Sequence, residues 1–402
     1  MNRKQFIQKT LMAATTMGVA SNMPSMGNQE SQTKVNAKTQ GKPLAITMWD
    51  FSWLERRWPG AGYEDWNLVL DELVLRGYDA VRIDAYPHLV SKDSDAIWEL
   101  LPVWSTQDWG SPAVNRVQVQ PGLNKFIEKC AERNIKVALS SWFRQDKTKA
   151  YLDIKSPEIL GQIWVNTLQQ IESAGLLDSI LYVDLCNEFP LIAWTPFLPE
   201  SFKRDQFFPL SNKEQLQWIN EALGVVRTTF PDLDFAFSNW ENCGIVERNL
   251  SQFDILDLHI WMAGGPFYEK VGYNYEKFES TGYDNLAMKG ESTYREDPEY
   301  WQNVLKYRIQ CAAKESRTIG VPLSTTECWA VVDYKDWPLL AWDWVKELCA
   351  IGVKEAASTG RWTSMATSNF CGPQFVGMWR DVEWHQRLTE IIHNASIDND
   401  LL

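Results

Sequence analysis

From residue 43 onward the chain alternates between two apolar rhythms. Short runs rich in Val, Ile, Leu and aromatic residues read as buried strands. Between them, apolar residues recur at helical spacing. The strand-like runs are "LAITMWDFSW" (residues 44–53), "YDAVRIDAYPH" (78–88), "IKVALSSWF" (135–143) and "ILYVDLCNE" (180–188). They continue with "DFAFSNW" (234–240), "DILDLHIWM" (254–262), "VPLSTTECWA" (321–330) and "GRWTSMATSNFCG" (360–372). The first helical pattern places Trp66, Val69, Leu70, Leu73 and Val74 on one face and stops at Gly77. Others cover residues 122–134, 156–175, 212–230, 300–317, 337–352 and 379–393, the second of these opened by Ser156-Pro157. Only between the fifth and sixth runs is there no helical pattern.

Strands alternating with helices predict a parallel sheet. Eight repeats over residues 43–402, with no break in composition, predict an α/β fold: a (β/α)8 TIM barrel, one domain with enlarged βα loops. A doubly wound open sheet is the alternative, but no GxGxxG or GxxxxGK[ST] follows the first strand. The longest insertions, residues 89–121, 189–212 and 262–299, follow the second, fourth and sixth strands. In a barrel that places them on the C-terminal face, where active sites form.

Each strand-like run also ends on polar or aromatic groups. In order these are Trp49-Asp50, Arg82 with Asp84 and His88, Ser141-Trp142, Asn187-Glu188, Asn239-Trp240-Glu241, His259 with Trp261, Glu327 with Trp329, and Ser368-Asn369. A barrel brings all of them to one mouth. Glu188 and Glu327 stand at the ends of the fourth and seventh runs and would face each other there. Cleavage of a glycosidic bond needs one protonated and one ionised carboxyl. A separation of about 5–5.5 Å marks retention and about 6.5–9.5 Å inversion.

Composition adds to this picture. Of 402 residues, 45% are hydrophobic and 21 are Trp. Indoles fill cores, and their flat faces also stack on sugar rings. Trp49, Trp53, Trp142, Trp240, Trp261 and Trp329 are the strand-end platforms. The formal net charge of −13 repels phosphate backbones and argues against nucleic-acid partners. The seven Cys form no CxxC and no close framework, so no zinc site is expected, and four His without an HxH pair make a metal hydrolase built on Asp50, Asp84, His88 and His259 a poor competitor. At the start, Arg3, Lys4 and Lys9 precede an apolar run at residues 11–20. This reads as a signal peptide (1–20), followed by a polar, flexible leader (21–42) and export to the periplasm or beyond, without a membrane anchor.

Four segments resemble glycoside hydrolase clan A, the cellulase-like (β/α)8 enzymes. "DLCNEFP" looks like the Asn-Glu motif ending their fourth strand and "STTECWA" like their seventh-strand nucleophile region. "FDILDLHIW" resembles their sixth-strand His segment, and "YDAVRID" their second-strand Arg. The resemblance implies a retaining β-glycosidase without a cofactor, acting on an oligo- or polysaccharide. Glu188 would be the acid/base, with its pKa raised, and Glu327 the ionised nucleophile beside Arg82. Asn187 would bind the sugar 2-hydroxyl and His259 would orient a carboxylate or hydroxyl. Asp50, Asn239 and the strand-end Trp residues would complete the substrate contacts. The sequence departs from the family at Trp261, where a Tyr usually supports the nucleophile. Ser141-Trp142 replaces a third-strand His, and Ser368-Asn369 stands where a stacking Trp is common. The competing readings are a non-catalytic carbohydrate-binding barrel, or an inverting or transglycosylating enzyme using the same carboxylates.

Overall fold

The computed structural model describes residues 41–402 except 106–107, 205–209, 211, 245–247, 275–278, 335 and 337–339. The expected signal peptide and all but the last two residues of the leader lie outside the described residues. The strand-like runs become β1 (Leu44–Asp50), β2 (Ala80–Asp84), β3 (Lys136–Ser140), β4 (Ile180–Asp184), β6 (Leu256–Trp261) and β8 (Trp362–Ala366). β5 is split into Phe235–Ala236 and Asn239–Trp240, and β7 into Leu323–Thr325 and Cys328–Trp329. The ten segments of the main sheet thus make eight barrel strands. Every neighbouring pair is parallel, and β8 returns to β1 through Leu44↔Ser364 and Ile46↔Ala366, so the ring closes. The split in β5 helps the closure: its first half pairs with β4 and its second with β6. Closure removes both sheet edges and buries the strands on both faces, which is why they read as continuous apolar runs and not as alternating ones.

The helices form where their end signals lie. Asp65 caps Trp66–Leu75 by accepting from the backbone N–H groups of Asn67 and Leu68 at 2.8 and 3.4 Å. Ser156 and Pro157 open Pro157–Ser173. Gly320, at φ +72°, ends Pro298–Ile319 in the left-handed region, with its N–H bonded to Ser316 O at 2.8 Å. Among the described residues no helix separates β5 from β6.

The differences from the sequence reading lie in the loops. The third insertion folds into two helices, Gly265–Val271 and Ser280–Glu296, whose apolar positions are too few for the pattern to reveal them. The first carries an antiparallel hairpin, Trp98–Leu100 with Asn115–Val117. β4 stops at Asp184, three residues before Asn187. The helix expected from residue 337 begins at Asp343 and runs to Ser358. Much of the Trp excess is core: Trp49, Trp53, Trp164, Trp329, Trp344 and Trp362 are fully buried. Among the described residues no helix is long and apolar enough to cross a membrane.

Candidate active site

At the C-terminal mouth, Glu188, His259 and Glu327 meet. His259 Nδ1 donates to Glu188 Oε1 at 3.0 Å and lies 3.5 Å from Glu327 Oε2. One oxygen of each carboxylate and an imidazole nitrogen fall within 4.8 Å of one another. The two carboxyl side chains keep 11% and 13% of their surface exposed, enough for a reactant to reach them and too little for free hydration.

Glu188 is held there by its backbone. Its φ is +48°, a region that costs a non-glycine residue about 1–2 kcal/mol. Neighbours on β5 secure it. Its N–H donates to Ser238 Oγ at 3.0 Å, and Asn239 Nδ2 donates to the next carbonyl, Phe189 O, at 2.5 Å. Asn187 extends from the same turn. Its Oδ1 accepts from Arg82 Nη2 at 2.7 Å, and its Nδ2 has no partner among the described residues.

Behind these residues lies a sealed ionic network. The Arg82 guanidinium reaches Asp184 at 2.5 Å, Asp257 at 3.5 Å and Glu327 at 3.4 Å, and donates to Ser140 and Ser238. Asp257 also accepts from Tyr182 Oη at 2.9 Å and from Thr326. Arg82, Asp184 and Asp257 are completely buried. Burial works against the charge of Arg82, but Asp257 and Asp184 outweigh it and hold the guanidinium above its ordinary pKa. Asp184, Asp257, Ser238 and Thr326 were not singled out from the sequence. Their signal is a polar residue at an inward position of an otherwise apolar strand, as in "LYVD" and "ILDLH".

The electrostatics of the reactive trio follow from burial and from each other. Burial, then the charge of Glu188, push Glu327 up to about 7, against the pull of His259 and Arg82. Burial lowers His259, but Glu327 and then Glu188 more than restore it, leaving it above its usual value. The sequence reading places the raised carboxyl at Glu188; the structure places one at Glu327. Near neutrality such a trio can hold a proton on one member while another carboxylate stays ionised, as a paired acid and nucleophile require.

Several expected substrate contacts are corrected. Trp49 and Trp329 are fully buried, and their indole N–H groups donate to Cys371 O at 3.0 Å and Ala366 O at 2.8 Å. They are core residues, not platforms. Arg82 has no exposed surface and acts on the site through Glu327 and Asn187. The Trp142 ring lies against Arg82, whose guanidinium carbon is 4.8 Å from the ring centroid. Asp50 accepts from the Ser52 N–H at 2.5 Å, and burial raises its pKa well above the usual carboxylate value. Asn239 braces the Glu188 turn. Two groups do stay uncommitted. Trp261 Nε1 and His259 Nε2 are buried without a hydrogen-bond partner among the described residues, and the two rings contact edge-to-face at 5.8 Å.

The trio is also the one group of His, Cys, Asp and Glu among the described residues whose ligand atoms cluster as a metal site would. It is already compensated by a guanidinium 3.4 Å from Glu327, which a dication would have to oppose. The competing set does not converge. Asp84 accepts from the backbone N–H groups of Tyr86 and Trp142, and His88 pairs with Arg144 O.

Comparison with known proteins gives the family and the fold. The family model "Sugar-binding cellulase-like" matches residues 46–393. A crystal structure from Parabacteroides distasonis ATCC 8503, described as a "putative glycoside hydrolase", is 52% identical, with a TM-score of 0.87 over 89% of this chain and 96% of that one. An endo-beta-1,4-mannanase from Thermotoga petrophila shares the fold at 10% identity, with a TM-score of 0.52 over 90% of this chain and 78% of that one. No curated protein matches.

Proposed function

The chain belongs to the cellulase-like family and is a glycoside hydrolase; from that premise we propose that it is an exported, retaining β-glycosidase acting through Glu188 and Glu327. The observation that carries this reading is the carboxylate separation. One oxygen of each lies within 4.8 Å of the other, closer to the about 5–5.5 Å between carboxyls of retaining enzymes than to the about 6.5–9.5 Å of inverting ones.

Glu188 protonates the departing glycosidic oxygen. Glu327, ionised and held by Arg82, attacks the anomeric carbon and forms a glycosyl ester. Glu188, now a carboxylate, takes a proton from water, which displaces Glu327 and releases the sugar. His259 Nδ1 spans both carboxylates and steadies whichever carries charge. Asn187 Nδ2, uncommitted beside Glu188, donates to a sugar hydroxyl, and Trp261 Nε1 supplies a second donor. The basic residues Arg3, Lys4 and Lys9 before the apolar run at 11–20 support export, and a mature N-terminus near residue 20 is the expected finding.

Azide rescue tests the two roles on aryl β-glycosides. Glu327→Gly should be inactive, and added azide should restore turnover with an α-glycosyl azide as product. Glu188→Ala should yield the β-azide from substrates with good leaving groups. The opposite assignment of azide products would exchange the roles. Full activity of Glu327→Gly without azide would remove the mechanism.

A further inference from the structure

All seven cysteines are free thiols, and Cys130, Cys186, Cys328, Cys349 and Cys371 are completely buried. The two that keep some exposed surface, Cys243 and Cys311, hydrogen-bond to each other. Cys243 lies in the loop after β5, just beyond Asn239 and Trp240, and Cys311 lies in the helix Pro298–Ile319. Ion pairs fasten that loop to that helix on both sides of the thiols. Glu241 Oε1 lies 3.2 Å from Arg308 Nη1, and Arg248 donates to both oxygens of Glu315 at 2.8 and 2.7 Å. Arg308, Cys311 and Glu315 share one face of the helix, one turn apart. The loop meets them in order: Glu241 on Arg308, Cys243 on Cys311, Arg248 on Glu315. The contact between the thiols is therefore set by its flanks. Cys243 is held at φ +45°, a conformation that a residue with a Cβ adopts only when its surroundings impose it.

The two thiols differ in a way that suits exchange chemistry. Cys311 accepts hydrogen bonds from Cys243 and from Tyr307, one helical turn away, and these hold it below the ordinary thiol value against its burial. The same bond to Cys311, and burial, push Cys243 up. One sulfur is thus the better nucleophile and the other carries the proton. Among the described residues neither thiol belongs to a cluster of three ligand groups, so a metal ion has no complete site here.

We infer that Cys243 and Cys311 are joined by a disulfide bond once the chain is exported, stapling the loop after β5 to the helix that precedes β7. The inference takes its oxidising surroundings from the export part of the proposed function. The oxidant is the disulfide of a thiol oxidase or of oxidised glutathione. The Cys311 thiolate attacks one of its sulfurs, the oxidant's S–S bond breaks, and the other sulfur leaves as a thiolate. That thiolate takes the proton of Cys243, whose sulfur attacks Cys311 and releases the second sulfur of the oxidant. Two electrons pass to the oxidant, which ends as two thiols. The closed loop contains all of β6, with His259 and Trp261, so the staple fixes both flanks of the strand that supplies the imidazole of the reactive trio.

The test follows the thiols of the full chain. The protein is produced with its own leader in a bacterial host, free thiols are blocked in denaturant, and the exported fraction is digested without reductant. The expected result is a peptide pair linking Cys243 to Cys311, lighter by two hydrogens than its parts, with the buried cysteines alkylated. Export with both thiols alkylated overturns the inference and leaves the glycosidase standing. Retention in the cytosol removes the export reading and this inference with it. Purified chain equilibrated with oxidised and reduced glutathione should form the same link; a different pair, or none, overturns the inference. Dithiothreitol should lower the melting temperature of the oxidised parent by about 5 °C and leave that of Cys311→Ser where it was. No fall in the parent, or an equal fall in both, shows that the bond staples nothing and overturns the inference. Should the variant not fold, the peptide map and the shift of the parent decide.

Discussion

Two ionic clusters share Arg82, and they are finished in opposite ways. Arg82, Asp184 and Asp257 have no exposed surface, and serine, threonine, tyrosine and asparagine partners surround them. Glu188 and Glu327 keep a little exposed surface, Glu327 and His259 are held above their ordinary pKa, and His259 Nε2 has no hydrogen-bond partner among the described residues. A buried charge ringed by opposite charges is fixed in place and held ionised. A buried charge short of partners is costly until something binds, and it titrates in the range where proton transfer is useful. The sealed cluster therefore positions, and the unfinished one is where chemistry is expected.

Breaking the unfinished cluster should cost activity with little loss of fold. Glu327→Ala is expected to lower turnover of aryl glycosides by at least about 10⁴-fold, and Glu188→Ala by about 10²–10⁴-fold on poor leaving groups. Circular dichroism and urea midpoints should stay near the parent. A variant that loses its fold along with its activity would erase the distinction between the clusters.

Breaking the sealed cluster should cost the fold as well. Arg82→Met strands Asp184 and Asp257 in the core, at a cost of about 3–5 kcal/mol. Urea unfolding reads this directly; an unchanged midpoint would mean that the network does not hold the barrel mouth together.

A control lies behind Trp329, away from both clusters. A Cβ on Gly352 would stand 2.5 Å from the Trp329 ring. Gly352→Ala gains about 1 kcal/mol of helix propensity but over-packs a fully buried indole by about 1–3 kcal/mol. The expected result is a modest fall in the urea midpoint with turnover retained by the folded fraction.

The smallest effect sharpens the coupling within the trio. Attack requires ionised Glu327, so the acidic limb of kcat/KM on a dinitrophenyl glycoside should lie near its pKa of about 7, with activity lost below it. The charge of Glu188 helps raise that pKa. Glu188→Gln removes the charge, so the limb should move to lower pH. A limb that stays in place would show that the two carboxylates do not sense each other.

The barrel was legible because each strand is buried on both faces and several helices carry their own start or stop. Asp65, Ser156-Pro157 and Gly320 act within a few residues of themselves, and local signals survive in a sequence. That the two carboxylates meet at the mouth was legible for a related reason, as acids at the polar ends of strand-like runs. The aromatic roles were not. Trp49, Trp329 and Trp261 all sit at strand ends, yet two donate to backbone carbonyls in the core and one keeps a free N–H at the mouth. Strand parity and the packing of the next helix make that difference.

The sequence alone determined the kind of fold and pointed to two carboxylates that meet at its mouth, since the spacing of apolar residues and the polar ends of strands are properties of each segment. Tertiary structure decided the rest. Arg82 binds the sealed network and not substrate because Asp184 and Asp257, from strands 102 and 175 residues later in the chain, close around it. Glu327 takes the raised pKa because of what buries it and what charge faces it. The hydrogen bond from the Asp336 N–H to Asp108 Oδ2 joins residues 228 positions apart. Each of these depends on distances through space, and the free energy of a charge depends on its surroundings, which the order of residues does not state.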